Sequence, residues 1–147
     1  MRGGIQVNKL AAFVCSVAVC GFGIGHAQQS AERTTLGGIF TAEQAKRGEQ
    51  LFQARCAPCH GADLHALDPD APDLTDDGFK SGWVGKTVAN RFRTIRIAMP
   101  ADAPGSLDNE TYINIIAYIL RFNKMPSGDE ILMPDVDALE KIVIKSP

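Results

Sequence analysis

Hydrophobic positions along the chain change period several times, and each change predicts an element. Leu10 to Ile24 is an almost unbroken apolar run. From Thr41 the apolar or small positions Ala45, Gly48 and Phe52 recur at helical spacing, and the pattern ends at Cys56, so a first helix begins near Thr41. Thr41 and Gln44 have the capping-box spacing, in which the threonine oxygen accepts from the Gln44 amide and the glutamine side chain reaches back. A second helix over Thr87 to Ile97 carries Val88, Phe92 and Ile95 on one side, and Pro100 ends it. A third starts at Asp108 as N-cap and places Tyr112, Ile115, Ile116 and Ile119 at i, i+3, i+4 and i+7. Ile113, Ala117 and Leu120 widen that stripe, which predicts burial on more than one side.

The intervening segments read differently. Asp63 to Gly82 is rich in Asp, Pro and Gly and predicts one long loop, unusual in a small domain unless something fills the space it encloses. Residues 28–37 are polar and aperiodic, which predicts an N-terminal arm that is loose or draped over the domain. After the breakers Pro126, Gly128 and Pro134, Asp137 to Ile144 predicts a short helix or an extended end with Leu139 and Ile142 packed down. No strand pattern precedes Cys56 and no internal repeat is present, so the reading is all-α with three main helices. Gly48 costs about 1 kcal/mol in a helix interior relative to alanine. A close helix crossing would justify it; an indifferent surface position would need no justification.

The run from Leu10 falls short of the about 20 apolar residues of a spanning helix. With Arg2 and Lys9 before it and Gly25-His26-Ala27 after it, residues 1–27 predict a secretory signal peptide, with an uncleaved anchor as the alternative. The expected mature protein is periplasmic and has no stable membrane span. Cleavage would remove two basic residues and no acidic one, moving the formal charge from −2 to −4. That balance argues against a nucleic-acid partner, for which many phosphates must be neutralised. Cys15 and Cys20 would also be lost, leaving Cys56 and Cys59 in an oxidising compartment as either a disulfide or an attachment point.

Cys56-Ala57-Pro58-Cys59-His60 is C-x-x-C-H, the spacing of c-type haem attachment. Two thiols three positions apart can each add to a vinyl group on one edge of a porphyrin, and the adjacent imidazole can turn onto the iron. A thioredoxin-type redox pair should follow a strand in a βαβ pattern, which is missing. A zinc site needs four well-placed ligands, and only His65 lies near enough to help. For the sixth iron position the candidates are Met99, Met125, Met133 and His65. His65 is too close in sequence to His60 to cross the ring, and reads as a loop histidine among aspartates. Met99, at a helix end before Pro100, is the preferred ligand, and Met125 before Pro126 is the runner-up. Trp83, the one tryptophan, either covers a cofactor with its indole N–H toward a propionate or simply packs in the core. Arg91, Arg93 and Arg96 read as a solvated helix face.

From about Gly38 to Leu132 the chain resembles the bacterial mono-haem class I cytochromes c. The likeness rests on the segment Phe40 to Gly48 leading to Phe52, the C-A-P-C-H-G attachment, Ala71-Pro72-Asp73-Leu74, Trp83 through Met99-Pro100, and Ile116-Ala117-Tyr118. It is similar in particular to cytochromes serving periplasmic quinoprotein dehydrogenases. The resemblance implies a class I cytochrome c fold in residues 38–132, with three main helices and long loops wrapped around one covalent haem c, and a tail at 133–147 packed on or near the domain. It implies that the first and third helices cross near Gly48 and Phe52, that a carbonyl near Pro72 holds His60, and that Met99 is the axial methionine. The expected function is one-electron transfer rather than catalysis, from an exported dehydrogenase toward an oxidase or another cytochrome. A haem subunit held permanently in a complex, or a haem enzyme or sensor with an open iron, are the alternatives.

Overall fold

The computed structural model describes residues 1, 3, 4 and 32–147; the rest of the expected signal peptide and the start of the arm lie outside the described residues. Within 32–147 the order is β1 (Arg33–Thr34), a 3₁₀ turn (Thr35–Gly37), α1 (Ala42–Arg55), α2 (Ala57–His60), α3 (Asp76–Gly82), α4 (Val88–Ala98), α5 (Asn109–Phe122), α6 (Val136–Glu140) and β2 (Ile142–Val143). The unit is mostly helical. Among the described residues, no helix is long and apolar enough to cross a membrane.

The three expected helices form where their caps and stripes place them. Thr87 Oγ1 accepts from Asn90 N–H at 3.1 Å to open α4, and the Asp108 carboxylate accepts from Thr111 N–H at 2.6 Å to open α5. The Thr111 amide holds the Asp108 carboxyl below its ordinary value. Every residue from Tyr112 to Leu120 in α5 is buried, so the wide apolar stripe does mark a helix enclosed on several sides. Its main partner is α1, and the crossing falls at Gly48, where a Cβ would overlap the Asn114 carbonyl. One turn on, the Phe52 and Tyr118 rings meet with centroids 5.3 Å apart.

Two local expectations are corrected. Only half of the capping box forms: Gln44 N–H donates to Thr41 Oγ1 at 3.1 Å, but the glutamine side chain does not turn back. Instead its Nε2 donates to the Leu132 carbonyl at 2.8 Å and its Oε1 accepts from the Leu132 N–H at 2.9 Å. Leu132 and Gln44 are both buried, so water cannot serve these groups, whereas the half-buried Thr41 amide at a helix start can be solvated. Replacing Gln44 by alanine should therefore strand two buried backbone groups and cost about 2–4 kcal/mol in urea unfolding of the haem-loaded protein. Thr41→Ala, a simple cap deletion, should cost about 1 kcal/mol.

The second correction concerns 63–82, which is not loop throughout, since its last turns are α3. Phe79 and Trp83 stand at i and i+4, are both 3% exposed, and stack with ring centroids 5.5 Å apart. That buried pair outweighs the turn-forming composition around it. Upstream, Leu64 is fully buried at a left-handed φ of 66°, a conformation costing leucine about 1–2 kcal/mol, and its carbonyl accepts from Leu74 N–H at 2.9 Å. The loop is thus anchored at a hydrophobic side chain.

The two ends of the unit meet. β1 pairs in parallel with β2, Arg33 opposite Ile142 and Thr34 opposite Val143. Lys145 N–H donates to the buried Thr35 hydroxyl at 3.1 Å, so residues 33–35 of the arm are fastened to the chain end. Ile144 exchanges hydrogen bonds with Gly85 N–H and the Lys86 carbonyl at 2.8 and 2.9 Å. Leu139 and Ile142 are packed down, each 1% exposed. Pairs of two residues have no period to display, which is why the sequence pattern held no sign of these strands.

Candidate cofactor site

Helix α1 ends at Cys56, whose N–H donates to the Phe52 carbonyl at 2.8 Å. The chain then makes one further turn, α2, with Pro58 near its start, where a missing N–H costs nothing. Cys59 and His60 N–H both donate to the Cys56 carbonyl, at 3.1 and 2.9 Å. This tight turn keeps the two sulfurs on one side, with the His60 ring beside them. Both cysteines are unbridged, Cys56 half-buried and Cys59 exposed. Burial pushes the Cys56 thiol up to about 11, against the opposing pull of Arg55; at neutral pH it stays a thiol, the form less prone to oxidation.

His60 is buried, and its Nδ1 lies 3.1 Å from the Pro72 carbonyl. A carbonyl can only accept, so Nδ1 carries the proton and Nε2 keeps its lone pair for a metal. Proline 72 belongs to the segment 71–74, which is itself tied down. Asn123, at the end of α5, donates through Nδ2 to the Leu74 carbonyl at 2.8 Å.

Cys56, Cys59, His60, Pro72, Trp83 and Met99 all line one cavity of about 670 Å³, inside the about 300–1,000 Å³ span of cofactor pockets. Met99 is the residue after α4, and its backbone is extended there. Its carbonyl accepts from the Tyr112 hydroxyl at 2.7 Å. Phe52, Leu74, Ile95, Ile115 and Ile119 make much of the remaining wall apolar. The other sulfur candidates stand elsewhere: Met125 is buried in the hydrophobic core without lining the cavity, and Met133 is exposed. His65 also lies outside it, half-exposed, 3.9 Å from Asp73 and 3.7 Å from Asp76.

The arginines divide. Arg93 pairs with Glu140 at 2.7 Å on the surface, and Arg96 is exposed. Arg91 departs from the expected solvated face: it lines the cavity, and partial burial lowers its pKa. Two positions apart on a helix, Arg91 and Arg93 point to nearly opposite sides, so a helix with one side on the cavity wall cannot keep both equally wet. Sequence reasoning missed the polar work of Tyr112, in the apolar helix α5, and of Asn123, which caps its end, because neither signals anything by spacing.

The residues present fit a c-type haem. Two thiols emerge on one side, an imidazole has its tautomer fixed, a thioether shares the cavity, and apolar walls are joined by the cations Arg55 and Arg91, to which the two porphyrin carboxylates could turn. Neither a curated protein nor a solved structure matches the chain. The family model described as cytochrome c oxidase, cbb3-type, subunit III matches residues 43–119. That span takes in α1, the C-x-x-C-H turn, Trp83, Met99 and most of α5. On that match over half of its length, the chain belongs to this family of haem-based electron carriers and is a class I c-type cytochrome.

Proposed function

We propose that the protein is a periplasmic one-electron carrier with a single haem c, joined through Cys56 and Cys59 and ligated by His60 and Met99. Its donor is an exported dehydrogenase, of the quinoprotein class that the sequence resembles, and its acceptor is an oxidase or another cytochrome. The observation that carries this reading is that the cavity holding both cysteines and the oriented His60 also holds Met99. When bound, the haem supplies the ferrous–ferric couple.

The chain's own residues do the rest. Pro72 holds the His60 ring so that Nε2 faces the cavity. Met99 would supply a soft thioether, which would favour the reduced iron and raise the potential. With both His60 and Met99 holding the iron, no coordination position would be left for a substrate, so the reading is transfer and not turnover. Ile95, Ile115 and Ile119 keep water from the cavity wall, and Trp83, backed by Phe79, is a rigid side of it. Arg55 and Arg91, both on the cavity wall, would offset the porphyrin carboxylates. Cys59 is exposed, so an electron would pass at that edge. Export rests on the sequence pattern of residues 1–27.

The purified protein should keep its haem in acid, show the absorption band of methionine on ferric iron, and give no reduced-state response to carbon monoxide. Extraction of the haem by acid, or rapid carbon monoxide binding, would overturn the reading. A second reading, a haem subunit fixed in an oxidoreductase complex, is favoured by the description of the matching family as an oxidase subunit. Recovery from its native membrane or periplasm in stoichiometric complex with a larger enzyme would select it.

A further inference from the structure

We infer that Tyr112 is a positioning residue for Met99, holding the methionine in the cavity through the Met99 carbonyl. The inference rests on the axial role proposed for Met99 and adds to it the device that keeps the sulfur in place.

Met99 stands where α4 has stopped, so its carbonyl has left the helical ladder and needs another donor. The peptide that follows contains Pro100 and has no N–H, so this carbonyl is the only hydrogen-bonding group of the peptide that joins Met99 to Pro100; on either side of it the Met99 N–H donates to the Ile95 carbonyl at 2.8 Å and the Pro100 carbonyl accepts from Ala103 N–H at 2.9 Å. Two donors reach it. The Tyr112 hydroxyl lies at 2.7 Å, and the Gly105 N–H lies at 3.3 Å. By length the tyrosine contact is the stronger. A carbonyl gripped from two directions cannot rotate its peptide plane freely, and the direction of the Met99 side chain is set by that plane.

Tyr112 is itself well fixed. It is 1% exposed and sits in the first turn of α5, which is pinned by the Asp108 cap. The apolar positions that follow it on the helix are mainly isoleucines, so packing gives no reason for a hydroxyl at 112. A buried phenol without a partner would be costly; the Tyr112 hydroxyl accepts from Leu107 N–H at the longer 3.4 Å and gives its proton to the candidate ligand's own carbonyl.

The test is Tyr112→Phe in the haem-loaded protein, with Tyr118→Phe as control. Tyr118 is a second buried tyrosine of α5, packed on Phe52 and outside the cavity wall. Imidazole is titrated into the ferric protein, and loss of the methionine–iron band is followed. One lost hydrogen bond of ordinary strength corresponds to about tenfold in an equilibrium. Tyr112→Phe should therefore lose the band at about tenfold lower imidazole, with amide exchange at Gly105 accelerated and the helical circular dichroism retained. Tyr118→Phe should titrate like the parent. Equal imidazole midpoints for Tyr112→Phe and the parent would overturn the inference. So would failure of Tyr112→Phe to fold, since the hydroxyl would then be holding the domain and not the ligand. If the parent protein has no methionine band, or Met99→Ala keeps it, the axial reading itself fails, which a normal band with an unchanged Tyr112→Phe midpoint does not imply.

Discussion

Gly48→Ala is expected to destabilise the haem-loaded protein by about 2–3 kcal/mol, and Gly48→Val by about 4 kcal/mol or more. Helix propensity alone argues the other way, since alanine in a helix interior is favoured over glycine by about 1 kcal/mol. The sign is reversed because the added Cβ meets the Asn114 carbonyl, with Tyr118 Cβ a further 3.0 Å contact. Asn114 lies in the middle of α5, where its carbonyl cannot shift without breaking the ladder of a helix buried on several sides. The helices must instead move apart along their main interface, opening gaps around Phe52 and Tyr118 and losing dispersion contacts. Urea unfolding measures the loss, and the alanine variant should melt about 10 °C lower. Gly37→Ala is the control: its Cβ meets nothing within 4 Å, so the change should stay within about 0.5 kcal/mol. A Gly48→Ala protein as stable as the parent would mean that α1 and α5 do not approach so closely in solution.

That crossing shows how far the sequence can be read. Gly48 within a helical pattern, and a third helix apolar on most sides, allow a close approach by pattern, and the family resemblance places it there. Helix caps at Thr41 and Asp108 are legible because each is set by residues within three positions. The C-x-x-C-H turn is legible because its chemistry is compressed into five residues. What escaped depends on contacts distant in sequence. Gln44 follows the capping rule until Leu132 offers it two buried backbone groups. Helix α3 forms against a turn-rich composition because Phe79 and Trp83 find a shared buried face. Tyr112 looks like an ordinary member of an apolar helix and Asn123 like an ordinary cap, yet one end of α5 holds the Met99 carbonyl and the other holds Leu74, two residues from the carbonyl on His60. The helix thereby spans the two walls of the cavity, a role that no spacing rule encodes.

Replacing Met99 and Met125 in turn should separate ligand from core by effects of opposite kind. Met99→Ala is expected to abolish the methionine–iron band and to let the reduced protein bind carbon monoxide on the order of a hundredfold faster, because binding no longer waits for a minor open population. Its potential should fall, since the thioether that favours ferrous iron is gone. The cost in stability should be modest, as Met99 is only half-buried at the cavity wall. Met125→Ala should leave the band, the carbon monoxide rate and the potential unchanged, and lower stability by about 2–5 kcal/mol. Met125 is 3% exposed and packed in the hydrophobic core, so truncation there leaves a hole and not an open coordination position. Spectra with flash photolysis read the first pair of outcomes, and urea unfolding reads the second. The reverse assignment, a band lost in Met125→Ala and kept in Met99→Ala, would require the chain after α5 to leave the core and enter the cavity. The hydrogen bond from Met125 N–H to the Leu120 carbonyl at 3.1 Å and the burial of Leu132 just downstream both oppose that rearrangement.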